Sequence, residues 1–147
     1  MYNQLIVLLD RHINVSGNSL RAKLTMDESQ CVKIFTAIDP CLTFLEQSIN
    51  KRIFVIVPGS FDPTTVLSIC DHKHVHHIYS LHGDIASHTN LAEGYANKLT
   101  TFNHEDNLIG RLFQDIENYL RQQANECIIQ ANIYKERAKQ VSTGCCG

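Results

Sequence analysis

The chain has 147 residues, 44% of them apolar and 19% charged, with a formal net charge of -2. That length suits one domain with a single core, and the charge balance supplies no basic field for nucleic acid. No apolar run reaches bilayer length, and Met1-Tyr2-Asn3-Gln4 lacks the positive flank of a secretory signal, so the expectation is a cytoplasmic protein. Six cysteines, at 31, 41, 70, 127, 145 and 146, include no metal-type C-x-x-C pair and read as reduced thiols.

In chain order, Leu5 to Leu9 is an apolar run of strand length that stops at Asp10. Ser19 is placed to cap a short helix through Leu20 and Leu24. Cys31 to Thr36, with Val32, Ile34 and Phe35, reads as a second strand. Asp39-Pro40 offers an N-cap carboxylate and a proline at the first helical position, and Leu42, Leu45 and Ile49 follow on one helical face.

Ile53 to Val57 is uninterrupted and apolar, as expected of a central parallel strand buried on both faces. After the Pro58-Gly59-Ser60 turn, Asp62-Pro63 repeats the helix-start signal, with Val66, Leu67, Ile69 and Cys70 facing inward. Val75 to Leu81 is a fourth strand, ending at His82-Gly83. Asp84 opens a helix to about Lys98, and Leu99 to Phe102 is a fifth strand. Strands alternating with helices predict a three-layer α-β-α fold around a five-stranded parallel sheet, with 2-1-3-4-5 the common order.

From Glu105 the pattern becomes one long helix. Ile109, Leu112, Phe113, Ile116, Leu120, Cys127, Ala131, Tyr134 and Ala138 hold helical spacing nearly to Val141. A helix of about 35 residues, at 1.5 Å per residue, outruns one sheet. Its second half therefore needs a protein partner or a copy of itself, or it faces solvent. The predicted organisation is an α/β domain over residues 1–120, a helical extension over 121–141 and a flexible tail over 142–147.

With these segments in place, the chain resembles the receiver-like N-terminal domain that some invertebrate proteins carry ahead of TPR repeats or an arginine ADP-ribosyltransferase domain. The resemblance rests on Leu5-Ile6-Val7-Leu8-Leu9-Asp10, Asp39-Pro40-Cys41-Leu42, Ile53 to Ser60, Leu67 to Asp71 and Ile78-Tyr79-Ser80-Leu81-His82-Gly83. It covers most of the first 120 residues and implies a non-catalytic signalling or interaction module. The transferase and TPR parts of the longer relatives have no counterpart here.

Receivers in the wider fold phosphorylate an Asp after strand three, with acids after strand one, a hydroxyl after strand four and a Lys after strand five. Asp10 matches the first acid and Ser80 is the candidate hydroxyl. Pro58-Gly59-Ser60 stands where the acceptor belongs, and Thr100-Thr101-Phe102-Asn103 holds no Lys. A lone carboxylate does not build the Mg²⁺ site that phosphoryl transfer needs, which disfavours a phospho-relay.

Other constellations are weighed beside this one. Strand alternation would place His72, His74 and His76 on one face as Zn²⁺ ligands, against a solvated turn as the plainer reading. Ser80-Leu81-His82-Gly83 has a superficial likeness to the histidine motif of caspase-type proteases, but Cys127, the only candidate nucleophile, lies in a helical context. Asp10, Ser60, Ser80 and His82 are the candidate pocket residues. The alternative function is a TIR-like NAD-binding enzyme using Asp10 and His82, with Glu93 the nearest carboxylate. No cofactor is called for otherwise. Cys145 and Cys146 are lipidation candidates, and only their modification would bring the chain to a membrane.

Overall fold

In a computed structural model, residues 4–9, 19–24, 32–58, 63–81 and 98–144 are described. Five strands, β1 (Gln4–Leu9), β2 (Val32–Phe35), β3 (Arg52–Pro58), β4 (Val75–Leu81) and β5 (Leu99–Phe102), form one sheet in the order β2-β1-β3-β4-β5. Every pairing is parallel. The helices are α1 (Ser19–Leu24), α2 (Ile38–Gln47), α3 (Pro63–Cys70) and α4 (Glu105–Gly144). This is the expected α/β architecture, with β3 central. The helix predicted from Asp84 lies outside the described residues.

The apolar run of β3 is explained by its position, since Ile53 to Val57 are all buried between β1 and β4. Alternation sends Ile53, Val55 and Val57 to one face, where they join Leu5, Val7 and Leu9 of β1. Cys41 and Leu45 of α2 and Val66, Ile69 and Cys70 of α3 close that core. The opposite face carries Ile6, Leu8, Phe54, Ile56 and Tyr79, all buried. Leu24 of α1 and Leu108 and Leu112 of α4 are fully buried and stand outside the first cluster. Lys23 ties the two helices together by reaching Asp106 at 2.7 Å and Glu105 at 3.4 Å.

Two helix-boundary expectations change. Ala37, in extended backbone, is the N-cap of α2 and supplies no side-chain bond, while Asp39 lies inside the first turn. Pro40 is tolerated there because the first four amides of a helix have no intrahelical acceptor. At the other end Ser48 stops the helix, its hydroxyl donating to the Phe44 carbonyl at 2.7 Å. Ile49 therefore falls beyond α2 and is exposed rather than on its inner face.

The sheet has one irregularity. Ile53 pairs with Val75, but Phe54 pairs with His77, so β4 carries one extra residue at His76. The bulge resets alternation, letting Val75 and Ile78, three residues apart, enter the same core. His76 is left exposed with its ring 4.9 Å from that of Phe54.

The chain divides into two compact units, Met1–Leu112 and Phe113–Gly147. The second consists of the remainder of α4 and the residues after it. Every described residue from 124 to 142 is exposed.

Candidate functional site

Ligands of open α/β sheets collect beyond the carboxyl ends of the strands, and here those ends are level. Leu9 pairs with Phe35, and Pro58 pairs with Leu81, which pairs with Phe102. Of the predicted pocket residues, Asp10, Ser60 and His82 follow directly on three of these ends and lie outside the described residues, as does Glu93. Ser80 is described. It sits one residue inside the end of β4, between Val57 and Thr101, and only 2% of it reaches solvent. Its hydroxyl belongs to the interior of the sheet.

The histidine-rich segment is ordered differently from the strand trio envisaged. Because β4 begins at Val75, His72 and His74 occupy the preceding turn, and only His76 is on the strand, where it is the bulged residue. The alternation that would gather three imidazoles on one face therefore does not apply. Among the described residues no three His, Cys, Asp or Glu side chains form a group able to hold a metal ion.

That turn is held instead by Lys98, which had no role in the sequence reading. Its ammonium donates to the carbonyls of Cys70 and His72, both at 2.9 Å. These carbonyls lie at and just beyond the C-terminus of α3, where the helix dipole favours a cation. Arg52 Nη1 adds a longer bond to the Lys73 carbonyl at 3.3 Å.

A second polar arrangement missed by sequence lies across β4 and β5. His77 is buried, and its Nε2 and the Thr100 hydroxyl are hydrogen-bonded at 2.7 Å, the neutral tautomer deciding which donates. The Tyr79 ring is 4.9 Å from His77 and stacks on Phe102 at 6.3 Å. The signal available in sequence was His77 at a two-residue step from Tyr79, but the bulge obscured which histidine turns inward.

The described thiols divide by burial. Cys41 and Cys70 are buried, and loss of hydration pushes each thiol up to about 11. Both are core residues held as protonated thiols, a state of low nucleophilicity. Cys127 is a free thiol exposed on α4, in the helical context expected of it. Cys31 and the lipidation candidates Cys145 and Cys146 lie outside the described residues.

These features define a doubly wound, all-parallel α/β domain continued by a long C-terminal helix. Among the described residues no helix is long and apolar enough to cross a membrane. Comparison with known protein families, with curated proteins and with solved structures finds no match.

Proposed function

We propose that the chain is a non-catalytic, receiver-like signalling module that works by protein contact, with the sheet as scaffold and α4 as the contact surface. The observation that carries this reading is the apolar surface of α4, where Ile128, Ile129, Ile133, Tyr134 and Val141 are between 48% and 65% exposed. Apolar side chains repeated on one exposed helix mark a surface made to be covered. The 2-1-3-4-5 order agrees with the receiver resemblance. The described polar groups of the sheet support a structural role for that part, since Ser80 is interior, Lys98 caps α3 and the two core thiols are protonated.

A thermal-shift panel with NAD, ATP, GTP, acetyl phosphate plus Mg²⁺, and Zn²⁺ tests the reading. A ligand at about 100 times its dissociation constant stabilises a fold by roughly 2.7 kcal/mol, a readily measured shift. The expected result is no shift with any of the five. A shift with NAD accompanied by its consumption would overturn the non-catalytic reading in favour of the TIR-like one.

A further inference from the structure

From the half-buried Phe113 onward, α4 carries a finer pattern than amphipathicity. Phe113, Leu120, Cys127, Tyr134 and Val141 recur every seven residues, and Glu117, Ala124, Ala131 and Ala138 recur between them with the same step. A strict seven-residue repeat keeps one seam facing a partner helix along a left-handed coiled coil, where large and small positions fit as knobs and holes. One row of this seam is large. The other is small except for Glu117.

We infer that the occupant of this seam is the same helix of a second copy, running antiparallel, in the register that places Glu117 against Tyr134. The inference rests on the contact reading above, of whose exposed apolar residues the seam contains Tyr134 and Val141, and it names the partner of that seam. In that register Leu120 meets Ala131, Cys127 meets Ala124 and Phe113 meets Ala138, so each of these three side chains faces an alanine, as close packing of two helices requires, while Tyr134 faces Glu117. Tyr134, Arg137, Ala138 and Val141 already line a shallow depression on the helix, the hole into which Phe113 of the second copy fits.

Charge selects the direction, and charge together with the length of α4 selects the register. Glu117 is the one acidic residue in the seam, and Tyr134 opposite it is flanked in sequence by Lys135 and Arg137. The Arg137 guanidinium already lies 5.9 Å from the centroid of the Tyr134 ring. Two-fold symmetry repeats this acid-to-cation match at both ends of the seam. Sliding one helix by a heptad puts Glu117 against Cys127, which no cation flanks, or against Val141, where Arg137 and Lys139 are near but Phe113 is left with no facing residue inside α4, which ends at Gly144. A parallel pair in register instead sets Glu117 against its own copy, a like-charge contact in the seam. Within one helix, Glu117 bonds Arg121 at 3.0 Å, a solvent-exposed i,i+4 pair that is easily exchanged.

Sedimentation velocity of the full chain up to about 100 µM tests the pairing, since a micromolar dissociation constant is resolved there. A dimer is expected. Leu120→Glu should make it a monomer, while Ile133→Gln, on the other side of the helix from the seam, should leave the dimer unchanged. Glu117→Gln should weaken association by roughly tenfold through loss of both symmetric charge contacts. Glu117→Lys should weaken it further, with rescue by Lys135→Glu and Arg137→Glu together. These residues are exposed, and circular dichroism of each variant confirms that the domain is folded. A monomer at the highest concentration overturns the pairing, and so does a dimer that Glu117→Gln strengthens, because that is the parallel outcome. Neither result bears on catalysis. NAD consumption would overturn the non-catalytic reading whatever the oligomeric state.

Discussion

His77 Nε2 and Thr100 Oγ1, 2.7 Å apart, join the fourth strand to the edge strand through side chains as well as through the parallel ladder. The bond places a polar pair on a sheet face otherwise built from Ile6, Leu8, Phe54 and Ile56. Thr100→Val keeps the shape and removes the hydroxyl, so it should cost about 1 kcal/mol, read as a lower urea midpoint with an unchanged slope.

The ammonium of Lys98 makes two short bonds to carbonyls at the end of α3, and its side chain is half-buried. Lys98→Met retains most of the stem and deletes both donors. The expected loss is about 1 to 3 kcal/mol, with hydrogen exchange accelerated first at the amides of His72 to Val75.

Leu45 fills the core between α2 and the sheet and is completely buried. Leu45→Ala should destabilise by about 2 to 5 kcal/mol, through lost burial and the cavity left behind. Gly110 supplies the opposite case, because a Cβ built there meets nothing within 4 Å inside α4. Gly110→Ala should therefore stabilise by about 0.8 kcal/mol, seen as a raised thermal midpoint.

The thiols predict both a labelling order and a pH dependence. Cys127 should react with iodoacetamide well before Cys41 and Cys70, as peptide mass mapping of the folded protein would show. Burial raises the two core thiols from 9.0 to about 11, so the folded state keeps protons that the unfolded chain releases first. Their contribution to stability is fully present below pH 9 and is lost as pH rises through about 11. Cys41→Ala and Cys70→Ala together should flatten that alkaline decline in urea titrations.

At the acid end the sign is reversed. Asp106 is held below its ordinary value by the Lys23 ammonium, and Lys23 is correspondingly raised. The pair contributes above the unfolded carboxyl's range and is lost as pH falls through the folded value. Both groups are at the surface, so Asp106→Asn should produce a small effect that salt removes.

What was legible in the residues was whatever depended on local pattern. The unbroken Ile53 to Val57 run marks a strand buried on both sides, and strands alternating with helices imply parallel pairing, so the parallel sheet followed, while its observed order is the one common to five-stranded sheets of this kind. The seven-residue spacing along α4 is likewise a property of the chain alone. The candidate site was less legible. Of its four residues only Ser80 is described, and burial places its hydroxyl inside the sheet.

Tertiary structure decided the matters that depend on register and on distant partners. Alternation alone would have put His76 on the face of Ile78. The extra residue at His76 instead turns Val75 inward and His77 toward Thr100, because a one-residue shift exchanges the two faces of a strand. Nor does local pattern indicate that Lys98 reaches back to the carbonyls of Cys70 and His72, since packing of the sheet brings together groups 26 to 28 residues apart. Sequence by itself therefore determined the elements and their parallel arrangement, through periodicities carried by neighbouring residues. Only the folded chain decided which polar groups serve structure, because their partners are set by strand register.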